Sequence, residues 1–112
     1  MALYQYVILT CALAGREEEF VTWYDKQHLA DVQKVPGVVS ARRFDVALQK
    51  VYDLNAPQYR SLAIYEVETD DPAGFLASIS ALSGTDAMPV TDALSRAGMI
   101  QVLALTPTDR TT

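Results

Sequence analysis

Residues 3–13, LYQYVILTCAL, are apolar on both sides of an extended chain: Leu3, Val7, Leu9, Cys11 and Leu13 fall on one face, and Tyr4, Tyr6, Ile8 and Ala12 on the other. Their β-branched and aromatic content, bounded by Gly15, predicts a strand. The period then changes. Residues 16–35 contain no Gly or Pro, carry three glutamates where the helix dipole favours them and stop at Pro36-Gly37, which predicts a helix. Segments 38–49 and 59–68 predict two antiparallel strands joined by a polar loop holding Asn55, Ala56 and Pro57. Asp71 before Pro72 marks an N-cap with proline at the first helical position, and Phe75, Leu76, Ile79 and Leu82 recur at helical spacing up to Gly84. Residues 85–97 have no clear period, whereas 98–106 predict a fourth strand ahead of a polar tail, 107–112.

The order β-α-β-β-α-β is that of a ferredoxin-like α+β domain spanning 1–106, with a four-stranded antiparallel sheet and both helices on one face. Met99, Leu103 and Leu105 alternate with Ile100, Val102 and Ala104, so the last strand is also apolar on both sides. A sheet wetted on one face should alternate apolar with polar residues. Two helices cover one face only, and the other would expose a patch larger than monomers tolerate; a homodimer packed sheet to sheet is the expected solution.

Composition narrows the partners. With 14 acidic and 9 basic residues the formal charge is −5, which argues against a nucleic-acid partner, since only Ala41-Arg42-Arg43 is locally basic. No apolar run approaches the roughly 20 residues of a membrane span. A single cysteine, Cys11, forms no internal disulfide and reads as packing, and nothing near the N-terminus resembles a signal peptide, so a cytoplasmic location is expected. One histidine and one cysteine cannot build a usual zinc site, no glycine-rich phosphate cradle is present, and no metal or cofactor is expected. A lone histidine leaves haem ligation open, on a chain with little surface to wrap a macrocycle.

The run Trp23-Tyr24-Asp25-Lys26-Gln27-His28 carries the chain's only tryptophan and only histidine. At 100° per residue with Phe20 as zero, Tyr24 falls at ~40°, His28 at ~80° and Val32 at ~120°, which places His28 in the middle of the apolar stripe. Glu18, Glu19, Thr22, Asp25, Lys26 and Gln33 take the opposite, solvated arc. Asp31 at ~20° is a carboxylate inside the stripe, three residues beyond His28 and within reach of it. His28 is the side chain whose charge changes most easily near neutrality; Asp31 would orient it and favour its protonated form, and Tyr24 would supply a hydroxyl donor. Trp23 at ~300° stands at the stripe's edge, placed to wall a pocket. The plainer reading stands beside this one: such a histidine is commonly satisfied by a backbone carbonyl, and such a tyrosine commonly fills core. Arg42 and Arg43 are able to bind an anionic substrate, although arginines in strands more often pair with acidic residues across a sheet or dimer.

Residues 19–44, EFVTWYDKQHLADVQKVPGVVSARRF, followed by LAIYEVETDDP (62–72) and MPVTDAL (88–94), resemble the EthD-like branch of the dimeric α+β barrel superfamily, most of all its small bacterial members with the pattern F-x-x-W-Y-D-x-x-H-L and then P-G-V/F-x-S-A-x-R-F/Y. The matching positions are Phe20, Trp23, Tyr24, Asp25, His28, Leu29, Pro36, Gly37, Val38, Ser40, Ala41, Arg43 and Phe44. Relatives often carry proline two residues after the histidine; Ala30 stands there and leaves the helix uninterrupted. The resemblance implies a ferredoxin-like protomer dimerised through its sheet, with a ligand cavity between helices and sheet. Members of the superfamily include cofactor-independent monooxygenases, muconolactone isomerases, polyketide cyclases and haem-handling enzymes, and a shared fold does not transfer a reaction.

The expected function is a cofactor-independent lyase or isomerase acting on an aromatic or polycyclic carbonyl compound in a catabolic or secondary-metabolic pathway. His28 would be the acid/base, Tyr24 the oxyanion donor and Asp31 the group that orients the imidazole, while Trp23, Phe20 and Arg43 would contact the substrate. A binding or accessory protein using the same cavity, and a cofactor-independent monooxygenase, are the alternatives.

Overall fold

In the computed structural model, which describes residues 1–107, the chain opens with strand β1 (Ala2–Ala12). A continuous helix over 17–33 follows, in three parts: α1 (Glu17–Trp23), a π-helical turn (Tyr24–His28) and α2 (Leu29–Gln33). Strands β2 (Val38–Asp45) and β3 (Ser61–Thr69), helix α3 (Pro72–Leu82) and strand β4 (Leu94–Leu105) complete the order. The strands form one antiparallel sheet, β2-β3-β1-β4, so the fold is the ferredoxin-like α+β arrangement that the element order predicts. Residues 108–112, most of the expected polar tail, lie outside the described residues. Among the described residues no helix is long and apolar enough to cross a membrane.

Local chemistry sets the boundaries. The Asp71 side chain accepts from the Gly74 amide at 3.0 Å and caps α3, with Pro72 at the first helical position. Strand β2 stops at Asp45, short of the expected residue 49, because ladder pairing ends at Asp45 opposite Ser61. Beyond it Gln49 acts in place of backbone: its side-chain amide donates to the Pro57 carbonyl at 2.8 Å and accepts from the Tyr59 amide at 2.7 Å, closing the loop 46–60. Strand β4 starts earlier than expected, at Leu94, because Leu94 and Ser95 already pair with Ala12 and Cys11. The register then breaks. Ile100 pairs with Leu9, so residues 96–99 stand opposite Thr10 alone in a wide bulge. Gly98 makes the bulge at φ +66°, and the Tyr59 hydroxyl donates to its carbonyl at 2.7 Å.

Both helices cover one face of the sheet. Tyr6 and Ile8 from β1, and Ala63, Tyr65 and Val67 from β3, are buried there against Phe20, Tyr24, Val32, Phe75 and Ile79. Tyr6 is the hub: its ring lies 5.7 Å from Tyr65 and meets Phe75 edge-on at 5.6 Å, contacts of about 0.5–1.5 kcal/mol each beyond burial. The opposite face carries two apolar rows. Phe44, Leu62, Leu9 and Ile100 align across all four strands, and Ile64, Val7 and Val102 make the next row. Phe44, Ile100 and Val102 are 41–47 % exposed, so no helix shields this face.

The helix joins β2 through Gly37, which has φ +98° and accepts from the Glu68 amide at 2.8 Å. A Cβ there would stand 2.7 Å from the Glu68 carbonyl oxygen, whereas one on Gly84, at φ +86°, would meet open space. Urea denaturation should therefore separate backbone strain from collision. Gly84→Ala is expected to cost about 1 kcal/mol and Gly37→Ala clearly more, roughly 2–3 kcal/mol. Equal costs would show that Glu68 yields freely to the added methyl.

Candidate active site

The π turn decides which side chains meet. The Leu29 amide bonds to the Tyr24 carbonyl, five residues back, so this turn holds more residues than the 3.6 of an α-helix. In an unbroken α-helix, residues five apart point ~140° away from each other. Here Trp23 and His28 stack, with ring centroids 4.4 Å apart and planes at 23°. Tyr24 meets the same imidazole edge-on at 5.0 Å and 88°. The wider turn also cancels the drift of a four-residue repeat, so that Phe20, Tyr24, His28 and Val32 stay on the sheet side together. The Trp23 indole N–H donates to the Pro89 carbonyl at 3.1 Å and ties the helix to the segment ahead of β4.

His28 is electrically quiet. Burial pulls its pKa down to about 4, and the nearby Asp31 carboxylate offsets only part of that shift. The imidazole is therefore neutral at pH 7: Asp31 favours its protonated form, as expected, but burial outweighs that effect. His28 Nδ1 and Asp31 Oδ2 are both buried without a hydrogen-bond partner, and no hydrogen bond joins the two residues. Tyr24 is pushed up by burial, while the Tyr65 hydroxyl and the Arg43 guanidinium pull the other way. Tyr6 and Tyr65 are raised as well, chiefly by burial, so all three remain neutral phenols able to donate. The Tyr65 hydroxyl approaches Tyr24 without completing a hydrogen bond, and Tyr6 donates to Gln101 Oε1 at 2.8 Å.

A cavity of about 60 Å³ opens between this cluster and the sheet. Trp23, Tyr24 and His28 wall it from the helix, Tyr6, Ile8 and Thr10 from β1, and Arg96, Met99 and Gln101 from β4. Usual ligand pockets hold roughly 300–1,000 Å³, so this one admits a few waters or one compact group until a side chain such as Met88 or Met99 moves. Of the residues expected at the site, His28, Tyr24 and Trp23 converge on this space. Phe20 lies behind them, fully buried, 6.0 Å from Trp23 and 5.6 Å from Tyr24. Asp31 acts on His28 through space and does not line the cavity.

Arg43 is engaged elsewhere. With its side chain 5 % exposed, it bonds Asp25 through Nε at 2.6 Å and Nη2 at 3.1 Å, and Asp45 through Nη1 at 2.8 Å. The hydrogen bond from Arg43, with its charge, holds the Asp25 carboxyl below its ordinary pKa. Its guanidinium carbon sits 5.9 Å from the Tyr24 ring centroid, so Arg43 supports the back of that ring. Sequence reasoning passed over Tyr6, Thr10, Arg96 and Gln101. Two of them left a trace: Gln101 is a polar residue on the otherwise apolar helix-facing side of β4, and Gly98 inside a strand signals the bulge that brings Arg96 to the cavity.

Among the described residues no three His, Cys, Asp or Glu side chains converge as a metal site would require. Models of known protein families give no match to the chain, and neither do curated proteins.

A buried neutral histidine couples stability to acid. Folded His28 takes up its proton near pH 4 and the unfolded residue near pH 6.5, so between these values the unfolded chain binds more protons and stability falls as the pH drops. The full effect is on the order of 3 kcal/mol. Urea melts across this window should show wild type losing stability relative to His28→Gln. A difference between the two that does not change with pH would mean that His28 titrates normally.

Proposed function

We propose that this chain is an EthD-like member of the dimeric α+β barrel superfamily and works as a small cofactor-independent enzyme of lyase or isomerase type. Its substrate would be a compact carbonyl compound, aromatic or conjugated. The observation that carries this reading is the cluster at the π turn, where a neutral imidazole with an unpartnered nitrogen is clamped between Trp23 and Tyr24 on the wall of a cavity. π turns recur at functional sites, and an unsatisfied buried nitrogen is a cost that a bound partner would remove.

In the proposed cycle the Tyr24 phenol donates a hydrogen bond to the substrate carbonyl oxygen. Neutral His28 removes a proton from the carbon beside that carbonyl, and its electron pair moves into the enolate held by Tyr24. The imidazolium returns the same proton to a conjugated carbon, which completes an isomerisation, or to a departing oxygen, which completes an elimination. Either way no external electron acceptor is required. A base with a pKa near 4, the Asp31 charge already included, is weak in the empty cavity, but the charge of the forming enolate stabilises the imidazolium and strengthens it. Asp31 is thus a positioning and electrostatic residue. Low basicity is also what favours the second reading, a carrier in which His28 recognises a ligand without turning it over.

We also place a second copy on the open sheet face. Two apolar rows cross that face, and the neighbouring loop exposes Leu48, Tyr52 and Leu54 at 91–104 %. Covering them would remove a patch that a monomer leaves to water. A cytoplasmic location accords with the free, buried Cys11.

Two measurements test these readings. Incubation without added cofactor with small enones, lactones and phenolic ketones, followed by product mass, should reveal turnover that drops about 100-fold or more in folded His28→Ala and less steeply in Tyr24→Phe. Binding without product from any compound would favour the carrier. Sedimentation velocity should give a dimer for wild type and a folded monomer for Val102→Glu; an unchanged sedimentation coefficient would remove the sheet face from the interface.

A further inference from the structure

Besides the groups of the proposed proton transfer, the cavity is lined by Ser83 at the end of α3 and, on its sheet side, by three side chains able to donate: Thr10, Gln101 and Arg96. Thr10 is 2 % exposed, lines the cavity, and its hydroxyl has no hydrogen-bond partner. Gln101 has its carbonyl oxygen occupied by the Tyr6 hydroxyl at 2.8 Å, which leaves the amide NH₂ as its donor; the one acceptor that group meets is the Met99 sulfur, at 3.2 Å, a weak one. Arg96 stands at the exposed rim, carried there by the bulge that sets residues 96–99 opposite Thr10. Its charge is uncommitted. Arg16 is held by Asp92 and Glu19, and Arg43 by Asp25 and Asp45, whereas no ion pair to Arg96 occurs among the described residues.

In a chain with net charge −5, Arg96 is, among the described residues, the one positively charged side chain that lines this cavity. Three donors with a fork-shaped cation among them match the oxygens of a carboxylate, for which a planar guanidinium is the best partner.

We propose that the ligand of this cavity is a small carboxylate, its anionic group held by Arg96 with Gln101 and Thr10 while its apolar body points toward Trp23 and His28. This rests on reading the cavity as a ligand site and adds the chemical class. The bulge gains a purpose from it, since the register shift at Thr10 is what sets residues 96–99, Arg96 among them, beside the cavity.

The test uses the only tryptophan of the chain, Trp23, as reporter. Benzoate, 2-hydroxybenzoate and 4-oxopentanoate, and the methyl ester of each, are titrated into ¹⁵N-labelled protein while the Trp23 indole signal is followed. The acids should shift it saturably and bind about 10-fold or more tightly than their esters. Arg96→Gln should abolish that preference and Arg96→Lys should keep part of it, both with unchanged melting temperature because the side chain is exposed. Esters that bind as well as acids, or acids that bind Arg96→Gln as well as wild type, would overturn the carboxylate assignment and leave the cavity itself standing. A Trp23 signal that no acid or ester moves would overturn the assignment and the ligand-site reading together.

Discussion

The stack of Trp23 on His28 is the contact on which the site depends, and it exists only because the helix holds one turn wider than the α-helical norm. Residues five apart cannot stack on an α-helix. The wide turn aligns Phe20, Tyr24, His28 and Val32 over the sheet, and the aromatic layer beneath, with Tyr6 between Tyr65 and Phe75, gives them a flat surface to pack on. Trp23 is also bonded to Pro89, so the same residue fixes the segment that closes the cavity. One backbone irregularity thus positions the helix wall, the imidazole and the approach to β4.

Charge is sorted around that layer. Arg43 and Arg16 are each committed to two carboxylates at the margins, and the helix wall of the cavity presents a neutral imidazole and a phenol kept protonated by burial. Such an interior leaves polar atoms without partners, notably His28 Nδ1, Thr10 Oγ1 and the Tyr65 hydroxyl. Native cores rarely tolerate this, and functional sites are where they do. The β4 bulge is a second irregularity of the same kind. It interrupts the ladder at Thr10, and the interruption lies at the rim of the cavity.

Most of the fold was legible from pattern. Period-two runs and the Asp71-Pro72 cap marked the elements, and the doubled apolar faces of β1 and β4 matched a sheet that is apolar on both sides. The strand ends were less legible, because Gln49 replaces backbone pairing with a side-chain amide and because β4 resumes after its bulge with a changed register. For the site, residue types on the helical stripe pointed to His28, Tyr24 and Trp23. A 100° wheel nevertheless set Trp23 and His28 well apart, since it assumes a constant turn.

Composition and periodicity determined on their own the element order, the fold class, the apolar doubling of the sheet and the helix that carries the candidate site residues, because all of these follow from short-range preferences and burial. Tertiary structure decided the rest. Whether Arg43 is free or paired depends on where Asp25 and Asp45 come to lie, whether His28 is charged depends on how completely packing excludes water, and whether Arg96 reaches the cavity depends on a register break between strands that are about 85 residues apart in the chain. Those are long-range relations, and no local pattern encodes them.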